Sequence, residues 1–304
     1  MKLLFIHQNF PGQFRHIVTA LAADREHQIV ALGQREPATL GLDAPGLQYI
    51  HYQPKRQPAP STHRYLQGLE GAVLAGQAVV EQLGRLRQRG FVPDVVIAHP
   101  GWGESLYVRE VFPQARVVHF CEFYYHAEGA DAGFDPAQPL TLDQRARLRT
   151  RNALHLLNLE YCDVAVTPTQ WQKSVHPPAY HPKLEVIHEG IDTDAARPDP
   201  VASFELPDGR TLRAGQRIVT YVARKLEPYR GFPQFLQALA LLQARDPEVQ
   251  ALVIGADGVS YGSLPPGGGQ WREKLVAELP LDLSRTHFLG AVPYGRYLRA
   301  LQVS

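Results

Sequence analysis

The chain has 304 residues, 44% apolar and 20% charged, which at ~150 residues per domain predicts two domains of ordinary soluble composition. Its basic and acidic residues number 18 and 18 up to residue 190 and 13 and 12 after it, so neither half is a polycation and nucleic acid is disfavoured as the main ligand. Cys121 and Cys162 cannot build a disulfide framework and read as buried thiols. The opening Met1–His7 is too short for a signal peptide, and the helix-like apolar stretch Gly71 to Val80 is far shorter than the ~20 residues that span a bilayer. The expectation is a cytoplasmic chain.

Leu3 to His7 is a continuous apolar run, as in a strand covered on both faces. Gly12 follows, and Phe14, Ile17, Val18 and Leu21 recur at helical spacing. Gln28 to Leu32 and Leu47 to Tyr52 read as strands, and the Pro-rich segment 53–63 as a surface loop. From Leu66 the series Leu69, Val73, Gly76, Val80, Leu83 predicts a long amphipathic helix. A strand at Asp94 to Ala98, a short helix at Gly103 to Val111 and a strand at Arg116 to Cys121 come next. A helix from about Leu142 to Tyr161 and a strand at Val164 to Thr167 complete the series. Alternation without hairpin signals predicts a parallel, doubly wound α/β sheet for residues 1–190.

Residues 191–216 carry Pro198, Pro200 and Pro207 without a sustained period and read as a linker. The pattern restarts in 217–304. Strands are expected at Ile218 to Ala223, Val249 to Gly255 and His287 to Leu289. Helices are expected at Pro233 to Gln243 and Trp271 to Leu279, with a further helix starting at Gly295. Three strand–helix units leave a sheet edge uncovered, so the second domain is expected to be incomplete and the chain to continue past Ser304.

Two such domains predict a ligand in the cleft between them, at the carboxyl ends of the strands. Gly12, in the loop Gln8–Gln13, could admit a phosphate to backbone N–H groups, or serve a plain turn. Arg224, Lys225 and Arg230 flank a loop whose Gly231 precedes a helix, a set suited to phosphate oxygens; a solvated loop with Arg230 paired to Glu227 is the bland alternative. Gly262 to Gly269 lacks the Lys-Ser/Thr of a P-loop and reads as a flexible loop, in the manner of a lid. Asp192 and Asp194 read as caps rather than metal ligands, and His176 and His181 as surface histidines. The stretches His99–Glu104 and Glu122–Glu128 gather acids, histidines and aromatics at adjacent strand ends. Trp102, Tyr124 and Tyr125 offer faces for sugars, and Glu122 and His126 are candidates for a base or for stabilising positive charge in an oxocarbenium-like transition state. The bland reading has these aromatics packing the domain edge and the acids in solvent.

These placements resemble glycosyltransferase family 4, retaining enzymes of GT-B architecture, and within it a bacterial branch with FEFYY-type loops. The resembling stretches are FPGQFRH (10–16), HPGWGES (99–105), CEFYYHAEGADAGFD (121–135), VIHEGIDTD (186–194), VARKLEPYRGF (222–232), VIGADGVSYG (253–262) and HFLGAVPY (287–294). The resemblance implies two Rossmann-like domains and retaining transfer from a nucleotide diphosphate sugar to a glycan, lipid-linked or small-molecule acceptor, with no metal or other cofactor. It also implies contact with the inner face of a membrane as one setting. It puts Arg224 at the donor-phosphate Arg, Arg230 where a Lys is usual, Gly12 on the loop facing the phosphates, and Leu289 to Pro293, with Val292, at the strand end that reads the nucleobase. Glu122 stands where the wider family has a His, with His126 four residues on. The family's acidic donor-sugar segment falls beyond Ser304, so the chain alone is expected to be inactive. A non-catalytic nucleotide-sugar-binding remnant or subunit and a GT-B sugar-nucleotide epimerase are the alternatives.

Overall fold

A computed structural model describes residues 1–134 and 139–304, so Asp135, the last residue of the 121–135 stretch, lies outside the described residues. The chain packs as two units, Met1–Gly190 and Ile191–Ser304.

The first unit is a seven-stranded parallel sheet. Its strands are β1 (Lys2–Ile6), β2 (Gln28–Gly33), β3 (Gln48–His51), β4 (Val95–Ala98), β5 (Arg116–Phe120), β6 (Val164–Thr167) and β7 (Leu184–Val186), in the order β3-β2-β1-β4-β5-β6-β7. Side chains alternate across a strand. Leu4 and Ile6 therefore enter one core with Val79, Leu83, Leu86 and Val96, while Leu3 and Phe5 enter the other with Phe14, Val18 and Ile29. Helices α1 (Arg15–Ala23), α2 (Gln67–Gln88), α3 (Val108–Val111), α4 (Leu142–Tyr161) and α5 (Gln170–Val175) connect the strands. Thr141 and Gln144 close a capping box at the start of α4.

Several expectations shift. The buried stripe of α2 is Ala72, Ala75, Gly76, Ala78, Val79, Leu83 and Leu86, so Gly76 and Leu83 of the expected series are buried while Leu69, Val73 and Val80 are only partly so. Small residues win the inner face because the helix lies close to the loop after β4: a Cβ on Gly76 would stand 2.9 Å from the Gly103 carbonyl oxygen. Helix α3 keeps only the last turn of the expected 103–111 helix, and residues 100–102 form a 3-10 turn. Helix α5 is additional.

The second unit has a parallel sheet β10-β11-β12, built from β10 (Ile218–Lys225), β11 (Gln250–Ala256) and β12 (Thr286–Gly290). Helices α6 (Phe232–Arg245) and α7 (Trp271–Glu278) pack Leu236, Leu239 and Leu275 against Ala251 and Val253. Helix α8 (Tyr294–Gln302) and an antiparallel hairpin, β8 (Ser203–Glu205) with β9 (Thr211–Arg213), cover Leu252 and Ile254 on the other face. The hairpin occupies the segment expected as linker. Ala202, Phe204, Leu206 and Leu212 are buried in this core, so 191–216 is part of the folded unit.

Candidate active site at the strand ends

In the first sheet the strand order reverses between β1 and β4, and open α/β sheets bind ligands outside the carboxyl ends at that point. His7 follows β1, His99 follows β4, and Glu122 follows β5, the next strand. His7 is 2% exposed and His99 5%. The His7 Nδ1 accepts the Asn9 N–H at 2.9 Å, which places the ring proton on Nε2, and Nε2 donates to Gln13 Oε1 at 2.7 Å. Gln13 Nε2 in turn donates to Glu122 Oε2 at 3.3 Å. By the same logic His99 Nδ1 accepts the Gly101 N–H at 3.1 Å, and Nε2–H donates to the same Glu122 oxygen at 3.3 Å. Two imidazoles thus serve one carboxylate, His99 directly and His7 through Gln13.

Packing fixes these rings. The His7 and His99 centroids are 5.1 Å apart, and Trp102 lies 5.2 Å from His7 and stacks on His99 at 4.4 Å. Burial, then the neighbouring His99, pushes His7 down to about 4. The His99 hydrogen bond holds Glu122 below the usual carboxylate range against its partial burial. Glu189 shifts the other way, raised by burial and then by the Glu122 charge. Two glycines make the arrangement possible. Gly12, at φ +48°, would put a Cβ 2.5 Å from His7 Nε2, and Gly103, at φ +94°, a Cβ 2.3 Å from the Ala72 carbonyl oxygen.

The expected aromatic and acidic cluster separates into parts. Trp102 joins Glu122 through His99. Glu104 is 1% exposed and turned inward, where Tyr52 Oη donates to it at 2.7 Å and burial raises its carboxyl to about 7. Glu128 pairs with Arg145 at 2.6 Å. His126 is held away from Glu122 by donating to the Val175 carbonyl at 2.6 Å. Tyr124 contacts His126, His155 and His176, with centroids 5.6, 6.4 and 6.0 Å away. Asn152 on α4 clamps the Tyr125 backbone on both sides, accepting its N–H at 3.0 Å and donating to its carbonyl at 2.7 Å. His176 is a correction: it is 2% exposed, with Nδ1 donating to the Gln172 carbonyl at 2.7 Å, and His181 binds the His176 carbonyl at 2.9 Å. Of the HPPAY turn only His176 is buried, while Pro178 and Ala179 stay exposed.

In the second unit the β10–β11 register shifts between Val222 and Lys225, a bulge that spans Ala223 and Arg224. Arg224 is exposed and forms no ion pair with any described residue. Lys225 donates to the Asp257 carbonyl at 2.7 Å, and Arg272 grips the Asp257 carboxylate through contacts of 3.0 and 2.7 Å. The alternative pairing of Arg230 with Glu227 is not formed. Glu227 is fully buried and accepts the N–H groups of Ser260, Tyr261 and Gly262 at 3.0, 3.2 and 2.9 Å, and the Ser260 hydroxyl. Arg230 instead lies 5.0 Å over the Tyr261 ring, which Tyr229 stacks at 5.6 Å. Gly231, at φ +71°, turns the chain into α6, whose N-terminus carries no side-chain cap. Val292 packs its side chain on the core with Leu289 and Tyr297. Asp192 caps its own turn, accepting the Asp194 and Ala195 N–H groups at 3.0 Å each. Among the described residues no group of three or more His, Cys, Asp or Glu is placed to hold a metal, and no helix is long and apolar enough to cross a membrane.

The model of the glycosyl transferase family 4 group matches residues 25–196, more than half of the chain. The chain belongs to this family. Sucrose-phosphate synthase from Thermosynechococcus elongatus superposes with a TM-score of 0.59 at 17% identity, covering 100% of this chain and 74% of its own. A glycosyltransferase from Rickettsia africae gives 0.59 at 14% identity, with 100% and 71% covered. Anabaena Alr3699/HepE, solved with UDP and glucose, gives 0.54 at 15% identity, with 99% and 72% covered. These likenesses are in fold: α/β, GT-B-like, with Rossmann-like units. A search of curated proteins finds no match.

Proposed function

We propose that the chain belongs to an enzyme that transfers a sugar, with retention, from a nucleotide diphosphate sugar to a glycan, lipid-linked or small-molecule acceptor. The observation that carries this is the placement of Glu122, fed by His99 and Gln13 beside the topological switch point, in a chain of the glycosyltransferase 4 family. Glu122 is assigned to the reacting sugar, where a fixed anion stabilises oxocarbenium character. His126 is assigned to the acceptor side with Tyr124 and Tyr125, because its ring is committed to Val175. Arg224 and Arg230, with the uncapped start of α6 at Gly231, are assigned to the donor diphosphate, and Lys225 to holding the loop beside them. The cationic groups replace a metal in this reading. Gly12 and Val292 stay with the donor, through backbone rather than side chain.

Calorimetry with UDP, GDP and ADP tests the donor assignment. Arg224→Ala and Arg230→Ala should each weaken the preferred diphosphate roughly ten- to a hundredfold, the loss of one charge-assisted hydrogen bond. Both variants binding like the parent chain would remove the donor site from this loop. Turnover of nucleotide sugar with no acceptor present would favour the epimerase.

A further inference from the structure

Arg230 is held in place without its charge being paired. Its backbone N–H donates to the Glu227 carbonyl at 3.1 Å, and its own carbonyl accepts the Tyr221 hydroxyl at 2.9 Å. The backbone is therefore fixed on both sides. The guanidinium lies 5.0 Å over the Tyr261 ring. Among the described residues it forms no ion pair and no side-chain hydrogen bond.

The ring beneath it is fixed in turn. The segment 257–262 after β11 is fastened at both ends. At one end Lys225 donates to the Asp257 carbonyl, while Arg272 grips the Asp257 carboxylate. At the other, buried Glu227 accepts the N–H groups of Ser260, Tyr261 and Gly262 at 3.0, 3.2 and 2.9 Å. The third of these bonds favours a glycine, since a Cβ on Gly262 would stand only 3.2 Å from Glu227 Oε2. Tyr229 stacks on the Tyr261 ring at 5.6 Å. Even so, Tyr261 is 54% exposed, so burying an apolar ring is not what this arrangement achieves.

The choice of partner has a chemical consequence. An ion pair with Glu227 would also hold Arg230, but it would occupy the N–H fork and offset the charge. An aromatic face attracts the guanidinium through the ring quadrupole and takes none of its N–H donors. Glu227, three positions before Arg230, is turned to the backbone of 260–262 and so holds the ring rather than the cation. The result is a fixed, unneutralised fork.

We propose that Tyr261 is a positioning residue: its ring holds the Arg230 guanidinium ready for the donor diphosphate and makes no contact of its own with the nucleotide. This rests on the assignment of Arg230 to the donor.

The test is calorimetry with inorganic pyrophosphate and with the preferred one of UDP, GDP and ADP. It compares the parent chain with Tyr261→Phe, Tyr261→Leu, Arg230→Ala and the double variant Y261L/R230A. An exposed cation–π contact corresponds to about two- to fivefold in affinity. Tyr261→Leu should weaken both ligands by that factor, and Tyr261→Phe, which keeps the ring, should bind like the parent. Once Arg230 is Ala, Tyr261→Leu should add no further loss. Parent-like binding by Tyr261→Leu, equal losses in Tyr261→Phe and Tyr261→Leu, or additive losses in the double variant would each overturn the proposal. A loss for the nucleotide but not for pyrophosphate would make the ring a nucleoside contact, and overturns it too. Arg230→Ala binding like the parent would remove the donor assignment and the proposal together, whereas a loss in Arg230→Ala alone removes only the positioning role. NMR without ligand reads the geometry by itself. The Arg230 Nε–H resonance, displaced by the Tyr261 ring current, should return to the range of exposed arginines in Tyr261→Leu and stay put in Tyr261→Phe. Finding it in that range in the parent chain would mean that the ring does not hold the guanidinium. Tyr261 is exposed, so thermal unfolding of Tyr261→Leu should match the parent and exclude misfolding as the cause.

Discussion

Gln13 and Glu122 are 109 positions apart in sequence, and the Gln13 amide donates to the Glu122 carboxylate at 3.3 Å. This bond ties the loop after β1 to the loop after β5 across β4, the strand that supplies the second donor, His99. Glu122 is therefore a preorganised anion. Because the His99 bond is the largest cause of its lowered pKa, His99→Ala should raise the Glu122 carboxyl toward the ordinary carboxylate range, and Gln13→Ala should raise it less. Carbon-detected NMR titration of the glutamate carboxyls reads this directly. A Glu122 titration unmoved in both variants would mean that neither donor governs its charge.

Glu227 makes a second prediction, in the second unit. One buried carboxylate accepts three consecutive backbone N–H groups, of Ser260, Tyr261 and Gly262, which fixes Tyr261 beneath Arg230. Glu227→Ala should release that loop, so that these amides exchange much faster while those of β11 do not. Each charge-assisted bond of this kind contributes ~1.5–3 kcal/mol, and the variant should also bind nucleotide diphosphate more weakly through a disordered Arg230. Unchanged exchange at Ser260 and Gly262 would show that other contacts hold the loop.

Period and composition make the local elements legible in the sequence. The run Leu3 to Ile6 and the helix over 142–161 appear where expected, because a strand buried on both faces and a capped helix are local patterns. The hairpin β8–β9 was not read, although Asp208-Gly209 between short alternating segments is a turn signal, because the surrounding prolines suggest a linker. The small-residue inner face of α2 was not legible, since it depends on how near a distant glycine loop approaches. The same holds for the site. Glu122 and Trp102 stand out by type, but His7, His99 and Gln13 become partners only through strand order, and nothing local distinguishes the inward Glu104 from the outward Glu122. The departure of Glu227 from Arg230 likewise depends on a loop more than thirty residues downstream.

The buried titratable groups of the first unit give opposing pH dependences. His7 and His119, 2% and 0% exposed, are both pushed down to about 4 by burial. In the unfolded chain they take up protons below about 6.5, so stability falls as pH drops from there toward 4, by about 2 kcal/mol each between pH 7 and 5. Glu104, raised to about 7, works the other way. Folded Glu104 holds a proton that the unfolded chain has released, so it adds about 2 kcal/mol as pH falls over the same range. His155 and His176, also lowered by burial, add to the histidine side, so urea unfolding should show the first unit losing stability between pH 7 and 5. Glu104→Gln removes the compensating group and should deepen that loss by about 2 kcal/mol. A shallower acid dependence in Glu104→Gln would reverse the assignment.

The last prediction concerns the order in which the molecule opens. In the first sheet β1 lies between β2 and β4, and Leu4, Phe5 and Ile6 are fully buried. Their amides can exchange only when the sheet itself comes apart. In the second unit β10 pairs with β11 along one side only, and its residues from Ile218 to Tyr221 are half-buried, with Val222 42% exposed. A three-stranded sheet buries less apolar surface per residue than a seven-stranded one, and an edge strand can leave it without breaking a second ladder. Local opening free energies follow this difference, from near zero at poorly packed edges to the global value in a core strand. Hydrogen exchange should therefore find Val219 to Val222 opening before the inner strand β11, and Leu4 to Ile6 last. Arg224 lies in this edge strand and Arg230 shortly after it, so a saturating nucleotide diphosphate should slow exchange in β10 far more than in β1. Equal protection in the two sheets, or protection by nucleotide confined to the first unit, would contradict both the stability order and the donor assignment.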